Sequence, residues 1–105
     1  MSKDALDRLA ATIRDRRTEA ADKSYTRQLL DDRIKSAKKL GEEGVEVAIA
    51  ETAQDRAALL SESAVLRYHF LVLLESHDIA FDAVCDVLEE RMGTSGLARH
   101  KGPAR

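Results

Sequence analysis

The sequence predicts an all-α protein, a bundle of four to five helices. Three observations support this prediction. Apolar residues recur at helical spacing along most of the chain, no segment alternates polar and apolar residues as a strand does, and the 105 residues include one proline. Aromatic residues make up only 4% of the chain, so we expect a core of Leu, Ile, Val and Ala. Residues 1–93 are expected to form a single domain, small enough to profit from dimerisation.

The N-terminal third is predicted to contain one long and one short helix. The long helix is expected over residues 3–17, where apolar side chains repeat at helical spacing. Residues 18–23 are polar and are expected to form a loop. Ser24 then suits the N-cap of a short helix through residue 30, because its hydroxyl can accept a hydrogen bond from the first turn.

Two long helices are predicted in the middle of the chain, at residues 34–52 and 56–76. Asp31 and Asp32 mark a break or a cap before the first, and Asp55 is a suitable N-cap for the second. Small residues on the first of these helices form a ridge that would let another helix approach closely: Ala37, Gly41, Gly44 and Ala48.

A further helix is predicted over residues 78–91, with Gly93 as its C-terminal stop. One stripe of this helix is apolar and is expected to be buried: Phe81, Val84, Cys85, Leu88 and Met92. Residues 94–105 contain glycine, proline and basic side chains, and are expected to form a mobile basic C-terminal tail.

The overall charge and composition argue against several classes of function. A formal net charge of -2 and a pI of about 5.9 give no electrostatic reason to bind nucleic acid or an anionic membrane. No apolar run is expected to reach the roughly 20 residues of a membrane span, and no signal peptide is expected before the first helix. The single cysteine leaves no partner for a disulfide or a zinc site. The expected location is the cytoplasm.

Three carboxylates converge in a segment that otherwise has the apolar pattern of a buried helix. Glu46 follows Glu42 by four residues and Glu43 by three, so both of these glutamates face the neighbourhood of Glu46 on the helix. Their mutual repulsion would be relieved by a divalent cation, and oxygen ligands suit Mg²⁺ or Mn²⁺. The alternative is ordinary surface ion pairing, because Lys38 and Lys39 each precede a glutamate by four residues.

Facing helices could extend this acidic cluster. If residues 34–52 and 56–76 pack antiparallel, Glu62 lies opposite the three glutamates, and carboxylates on facing helices commonly bind metal. Lys38 and Lys39 lie one turn away, where they could hold phosphate oxygens. His69 is expected to be a hydrogen-bonded histidine of the core or an interface rather than a catalytic one.

Several of these segments, taken in order, resemble the phosphoribosyl-ATP pyrophosphohydrolase family of histidine biosynthesis. The similar segments cover nearly the whole chain: residues 24–26, 37–46, 55–56, 62–64, 68–74 and 91–96. This family belongs to the MazG-like all-α superfamily, whose signature is Glu-Glu-x-x-Glu followed by Glu-x-x-Asp. The resemblance implies a dimeric helical bundle that uses Mg²⁺ to hydrolyse phosphoribosyl-ATP, or a related nucleotide, and release pyrophosphate.

The resemblance also implies roles for individual residues. The Mg²⁺ ligands would be Glu42, Glu43, Glu46 and Glu62, and Glu43 and Glu46 would also orient or deprotonate the attacking water. Substrate would be bound by the basic pair and by the segment before the short helix: Lys38, Lys39, Ser24, Tyr25 and Thr26. Residues 94–96 would help to close over the substrate.

Two residues depart from the family pattern. Val65 occupies the position of the acid that ends the second motif, and Gln28 replaces a usual lysine. Valine cannot coordinate Mg²⁺, so we expect weakened activity. Two alternatives remain open at this point: a non-catalytic paralogue that serves as a dimeric binding or regulatory module, and a pyrophosphohydrolase for another nucleotide.

Overall fold

The computed structural model describes residues 2–93. They form five α-helices, and this part of the chain contains no strand: α1 (Ser2–Asp15), α2 (Tyr25–Leu30), α3 (Arg33–Thr52), α4 (Arg56–Ser76) and α5 (Phe81–Met92). Two short 3-10 turns, Arg16–Thr18 and Ala21–Lys23, connect α1 to α2. The all-α prediction is confirmed, and α4 has the predicted bounds. The expected basic tail lies outside the described residues.

Side-chain caps begin three of these helices. Ser24 Oγ accepts a hydrogen bond from the Arg27 amide (3.1 Å) at the start of α2. Asp32 caps α3 and Asp55 caps α4, each accepting from the amide three residues later at 3.0 Å. A cap of this kind satisfies one of the amides that the first helical turn leaves unpaired. All three caps were predicted from the residue types.

A tight turn joins α3 to α4. Gln54 takes a positive φ of 56°, and its amide donates to the Glu51 carbonyl at 3.0 Å. The Asp55 amide reaches back to the Ala50 carbonyl at 3.2 Å. This pair of hydrogen bonds is the Schellman motif, which closes a helix by reversing the chain. Because Asp55 also caps α4, the two long helices are forced into an antiparallel hairpin.

The C-terminal end of α4 closes in the same way. Asp78 has a φ of 58°, its amide donates to the Glu75 carbonyl, and the Ile79 amide donates to the Leu74 carbonyl, both at 3.0 Å. Asp78 is therefore part of the turn, and α5 begins only at Phe81. The prediction of a helix from residue 78 was wrong by three residues, because this motif requires the left-handed backbone there.

The hydrophobic core surrounds the C-terminal half of α4, where α1 and α2 pack against it. Four residues at its centre are buried: Ile13, Leu29, Leu71 and Val72. Partly buried side chains complete it, among them Leu6, Leu9, Tyr68, Phe70 and Phe81. An ion-pair network secures one edge, because Arg17 binds both Glu75 and Asp78 through its guanidinium. This network was not predicted from the residue pattern.

Two apolar surfaces singled out in the sequence are partly or wholly exposed. On α5 only the first turn reaches the core, through Phe81, while Leu88 and Met92 lie in solvent. The small-residue ridge of α3 faces away from α4, since a Cβ added at Gly41 or Gly44 would meet nothing within 4 Å. A helix can be apolar on two faces while only one of those faces packs against another helix of the same chain.

Among the described helices, α4 alone is long and apolar enough to cross a membrane by the criteria of length and composition. The prediction that no apolar run reaches this length was therefore wrong. Core helices of soluble proteins meet the same criteria. Here α4 packs against α1, α2 and α3, which accounts for its apolar character.

Candidate functional site

The site is built on the seam between α3 and α4, the most extensive packing contact between described elements. Glu43 on α3 lies against Glu62 on α4. Both carboxyl side chains are half-buried. The predicted juxtaposition of Glu62 with the acidic segment of α3 is thus present for Glu43.

This acidic pair lacks a compensating charge. Glu43 Oε1 is buried and has no hydrogen-bond partner. Hydrogen bonding to the Glu43 carboxyl raises the pKa of Glu62, and burial and the Glu43 charge act in the same direction. Two acids that share a confined space favour uptake of a proton or a cation between them.

The two remaining glutamates of the segment lie at the edge of this pair. Glu42 is exposed and its carboxylate is 3.6 Å from Lys39 Nζ, the kind of surface ion pair considered as the alternative reading of the sequence. Glu46, expected to be enclosed by apolar residues, is exposed, because its neighbours Val45 and Ile49 are exposed as well. Within residues 2–93, no three acidic, histidine or cysteine side chains are grouped closely enough to hold one metal ion.

Val65 stands on α4 one turn after Glu62 and is half-buried. Residues three apart on a helix lie on neighbouring parts of one face. An acid at this position would therefore stand close to the Glu43–Glu62 pair. Valine instead gives the site an apolar wall.

The segment before α3 contacts α4 two turns from the acidic pair. The Thr26 hydroxyl and the Tyr68 hydroxyl are hydrogen-bonded at 2.6 Å. The Tyr25 ring stands edge-on to His69 with centroids 6.5 Å apart, and Lys35 Nζ lies 5.6 Å from the centre of the Tyr25 ring. Of the predicted substrate segment, Tyr25 and Thr26 thus face the seam, whereas the Ser24 hydroxyl is engaged in capping α2.

Of the predicted basic pair, one lysine lies beside the seam, whereas the other shares the outer face of α3 with Ile34 and Val45. Lys39 is half-buried and close enough to His69 for its charge to act there, while Lys38 is exposed. Burial lowers the pKa of His69, and the charge of Lys39 lowers it further. His69 is therefore an uncharged imidazole at neutral pH.

The residue pattern did not identify Ser36 as part of this seam, and it did not predict that His69 lacks a hydrogen-bond partner there. Ser36 is fully buried, and its Oγ has no hydrogen-bond partner. His69 is buried with Nδ1 unpaired, although it was expected to be hydrogen-bonded. A seven-residue spacing could have indicated that both residues lie on the seam. Ser36 precedes Glu43 by seven residues, and His69 follows Glu62 by seven.

The residues present fit a hard divalent cation. The Glu43–Glu62 pair offers only carboxylate oxygens, and the buried oxygen of Glu43 has no other partner. Oxygen donors of this kind suit Mg²⁺, which keeps several water ligands and needs only one or two protein carboxylates. Two further carboxylates at the edge, Glu42 and Glu46, lie within one helical turn of Glu43 on α3.

Comparison with known proteins gives consistent matches over most of the chain. Residues 6–92 match the family model described as phosphoribosyl-ATP pyrophosphohydrolase. A protein of Caulobacter sp. (strain K31), named phosphoribosyl-ATP pyrophosphatase, is 55% identical over 95 residues, which span 90% of this chain and 89% of that protein.

Two further relatives carry the same name. The Caulobacter vibrioides (strain NA1000 / CB15N) protein is 52% identical over 95 residues, again 90% of this chain and 89% of the relative. The Cereibacter sphaeroides (strain ATCC 17029 / ATH 2.4.9) protein is 46% identical over 98 residues, 92% of this chain and 95% of the relative.

Proposed function

The chain belongs to the phosphoribosyl-ATP pyrophosphohydrolase family, and from this membership we propose that it hydrolyses phosphoribosyl-ATP to phosphoribosyl-AMP and pyrophosphate in histidine biosynthesis. The cofactor is Mg²⁺, with Mn²⁺ as a substitute. The observation that carries the proposal is the Glu43–Glu62 pair, whose buried oxygen has no partner. An enzyme that acts on a polyphosphate needs a cation at such a place.

The metal ligands are Glu43 and Glu62 at the centre, with Glu42 and Glu46 completing the set from the edge of the seam. Bound Mg²⁺ supplies a positive charge that polarises the phosphoryl group under attack. Glu42 and Lys39 form an ion pair at 3.6 Å, which places one proposed metal ligand beside one proposed phosphate-binding lysine. This contact supports a shared role for Glu42 and Lys39.

The chain's own side chains perform three tasks in the reaction. Glu43 and Glu46 orient the attacking water and accept its proton. Lys38 and Lys39 neutralise negative charge on the polyphosphate. Ser24, Tyr25 and Thr26 contact the substrate, and the exposed ring of Tyr25 beside Lys35 is suited to contact with its base.

Val65 weakens this activity, since the acid that would complete the second motif is absent. The same half-buried valine favours a second candidate function, a non-catalytic dimeric module that binds the nucleotide or regulates a partner. A different nucleotide substrate is the third alternative. Faster hydrolysis of ordinary nucleoside triphosphates than of phosphoribosyl-ATP would identify that case.

The protein acts as a homodimer in the cytoplasm. Support for the dimer comes from the outer face of α3, where Ile34, Val45 and Ile49 are 86%, 57% and 54% exposed. Gly41 lies on the same face with open space above it. A helix face with several exposed large apolar side chains is typical of a surface that is covered by a partner.

The test is Mg²⁺-dependent release of pyrophosphate from phosphoribosyl-ATP by the purified protein, compared with Glu43→Gln and with Glu51→Gln. Glu51 is an exposed glutamate on the same helix, so its variant is a matched control. We expect Glu43→Gln to abolish release and Glu51→Gln to retain it. Absence of release from the wild type at millimolar Mg²⁺ or Mn²⁺ would reject the enzyme and favour the non-catalytic module.

A stability measurement separates loss of a metal ligand from loss of the fold. Without metal, Glu43→Gln removes repulsion within the acidic pair, so its urea midpoint is expected to rise above that of the wild type. With saturating Mg²⁺ the order is expected to reverse, because ligand binding stabilises only the protein that retains the site. The same order under both conditions would exclude Glu43 as a metal ligand.

A further inference from the structure

Two buried polar atoms on the α3–α4 seam are not explained by the metal site. Ser36 is 0% exposed and His69 is 5% exposed. Neither Ser36 Oγ nor His69 Nδ1 has a hydrogen-bond partner. A buried polar group without a partner costs stability, so two of them in one seam call for a functional explanation.

The register of the hairpin places these residues opposite each other. Glu43 lies against Glu62, and α3 and α4 are antiparallel. Ser36 precedes Glu43 by seven residues, and His69 follows Glu62 by seven. Seven residues are two helical turns, or about 10.5 Å, so both side chains return to the seam at the same level.

We propose that Ser36 and His69 form a buried pair in which the Ser36 hydroxyl donates to Nδ1 of His69 through one water molecule, and that His69 thereby presents an Nε2–H donor to a phosphate oxygen of the substrate. The proposal rests on the proposed function, since it assigns a further contact to the same nucleotide. His69 is then a substrate-binding residue, and Ser36 is a positioning residue that acts through it.

The surroundings of His69 determine which tautomer it takes. A neutral imidazole has one nitrogen that donates and one that accepts. When Ser36 donates to Nδ1, the proton must reside on Nε2. The ring is held at this angle by two aromatic neighbours, Tyr68 with centroids 5.0 Å apart and Tyr25 at 6.5 Å.

The position of His69 suits a phosphate rather than the metal. Lys39, which precedes Glu43 by one turn, is the charged group that acts on His69. A polyphosphate held at the Glu43–Glu62 pair would therefore meet Lys39 first and His69 beyond it. Among residues 2–93, the side chains shown to contact or act on the imidazole are Tyr25, Tyr68 and Lys39, and none of these is a carboxylate that would repel phosphate.

Nitrogen-15 NMR of the histidine rings in the full-length chain tests the proposal without relying on catalysis. We expect the Nε2–H tautomer for His69 in the wild type and a mixture of tautomers in Ser36→Ala. Ser61→Ala, an exposed serine on α4, is the control and should leave the signal unchanged. The Nδ1–H tautomer in the wild type would overturn the proposal.

Two probes identify the phosphate. Inorganic pyrophosphate represents the polyphosphate, and ribose 5-phosphate represents the sugar phosphate of the substrate, each added with Mg²⁺. A shift of the His69 Nε2 signal by pyrophosphate alone assigns the contact to the polyphosphate, and a shift by ribose 5-phosphate alone assigns it to the sugar phosphate. No shift with either probe would overturn the contact, even in a catalytically active protein.

Two substitutions of His69 distinguish binding from structural support. The amide of His69→Gln can reach the place of Nε2, whereas the shorter amide of His69→Asn reaches only the place of Nδ1. We expect KM to rise about tenfold in His69→Asn with little change in kcat, and Gln to recover most of the loss. Equal effects of both variants would show that His69 only supports the fold, and a fall in kcat with unchanged KM would overturn its role in substrate binding.

Discussion

At the scale of single residues, Val65 decides how completely the acidic cluster can surround a cation. It stands one turn from Glu62 on α4 and contributes no ligand. Under the proposed function, the Glu43–Glu62 pair would then hold the metal with help only from exposed carboxylates, which are better solvated and less fixed in position. A weakly bound metal and a low rate are the expected consequences.

Replacement of Val65 by aspartate tests this account. We expect Val65→Asp to raise Mg²⁺ affinity about 10-fold or more, measured by isothermal titration calorimetry, and to raise turnover. Val65→Asn has nearly the same shape without the charge and is the control. If the aspartate and asparagine variants bind Mg²⁺ equally, position 65 does not face the metal.

His69 gives a second prediction at this scale. Burial and Lys39 lower its pKa in the folded protein below the ordinary value of 6.5. The unfolded chain therefore binds a proton first as pH falls, so stability is expected to decrease from about pH 6.5 downward. His69→Gln should flatten this part of a stability profile from urea unfolding, whereas His77→Gln, at an exposed position, should not. Identical slopes in wild type and His69→Gln would contradict the expectation.

At the scale of the elements, the turn between α3 and α4 determines what the seam contains. Residues 53–55 close one helix and cap the next, and this fixes which residue of α3 meets which residue of α4. A shift of one position would rotate Glu43 away from Glu62. The Schellman motif at Gln54 therefore determines the geometry of the site, although Gln54 is not one of its residues.

The backbone angles in this turn predict opposite effects on stability when two neighbouring residues are replaced by glycine. Gln54 has a φ of 56°, where glycine has no steric penalty, so Gln54→Gly is expected to stabilise the protein by about 0.5–1 kcal/mol. Ala53 has a φ of -78°, and Ala53→Gly should destabilise it by a similar amount. Urea unfolding measures both. If both variants changed the free energy of unfolding in the same direction, the positive φ of Gln54 would be contradicted.

At the scale of the whole molecule, apolar surface is distributed unevenly. The core lies around the C-terminal half of α4, whereas the outer face of α3 and the C-terminal part of the α5 stripe, Leu88 and Met92, are exposed. A chain of 105 residues buries a limited fraction of its surface alone. A second copy would cover such a face and would also restrict the edge of the acidic seam.

A lysine on each face tests which one forms the dimer. Val45 is exposed on the outer face of α3. We expect Val45→Lys to give a monomer in sedimentation equilibrium, because a dimer through this face would bury the charge of the lysine. Leu88→Lys on α5 is the matched control, with similar exposure of the native side chain, and should remain dimeric. Monomer formation by Leu88→Lys alone would move the interface to α5.

The sequence by itself determined the number and type of the helices and three of their caps. Ser24, Asp32 and Asp55 have side chains that bond to amides three residues away, so residue type and position suffice to predict them. The acidic segment and its relation to Glu62 were also predictable, because helical spacing and a short turn bring these residues to one seam.

Only the tertiary structure decided which predicted residues meet. In the folded protein Glu43 is the glutamate that lies against Glu62, and Glu46 is exposed. Ser36 and His69 are buried, each with a side-chain atom that has no hydrogen-bond partner. The small-residue ridge of α3 is turned outward. Local spacing reports the face on which a residue lies, but α3 is apolar on two opposite faces. Which face packs against α4 follows from the competition between all the helices for the same core.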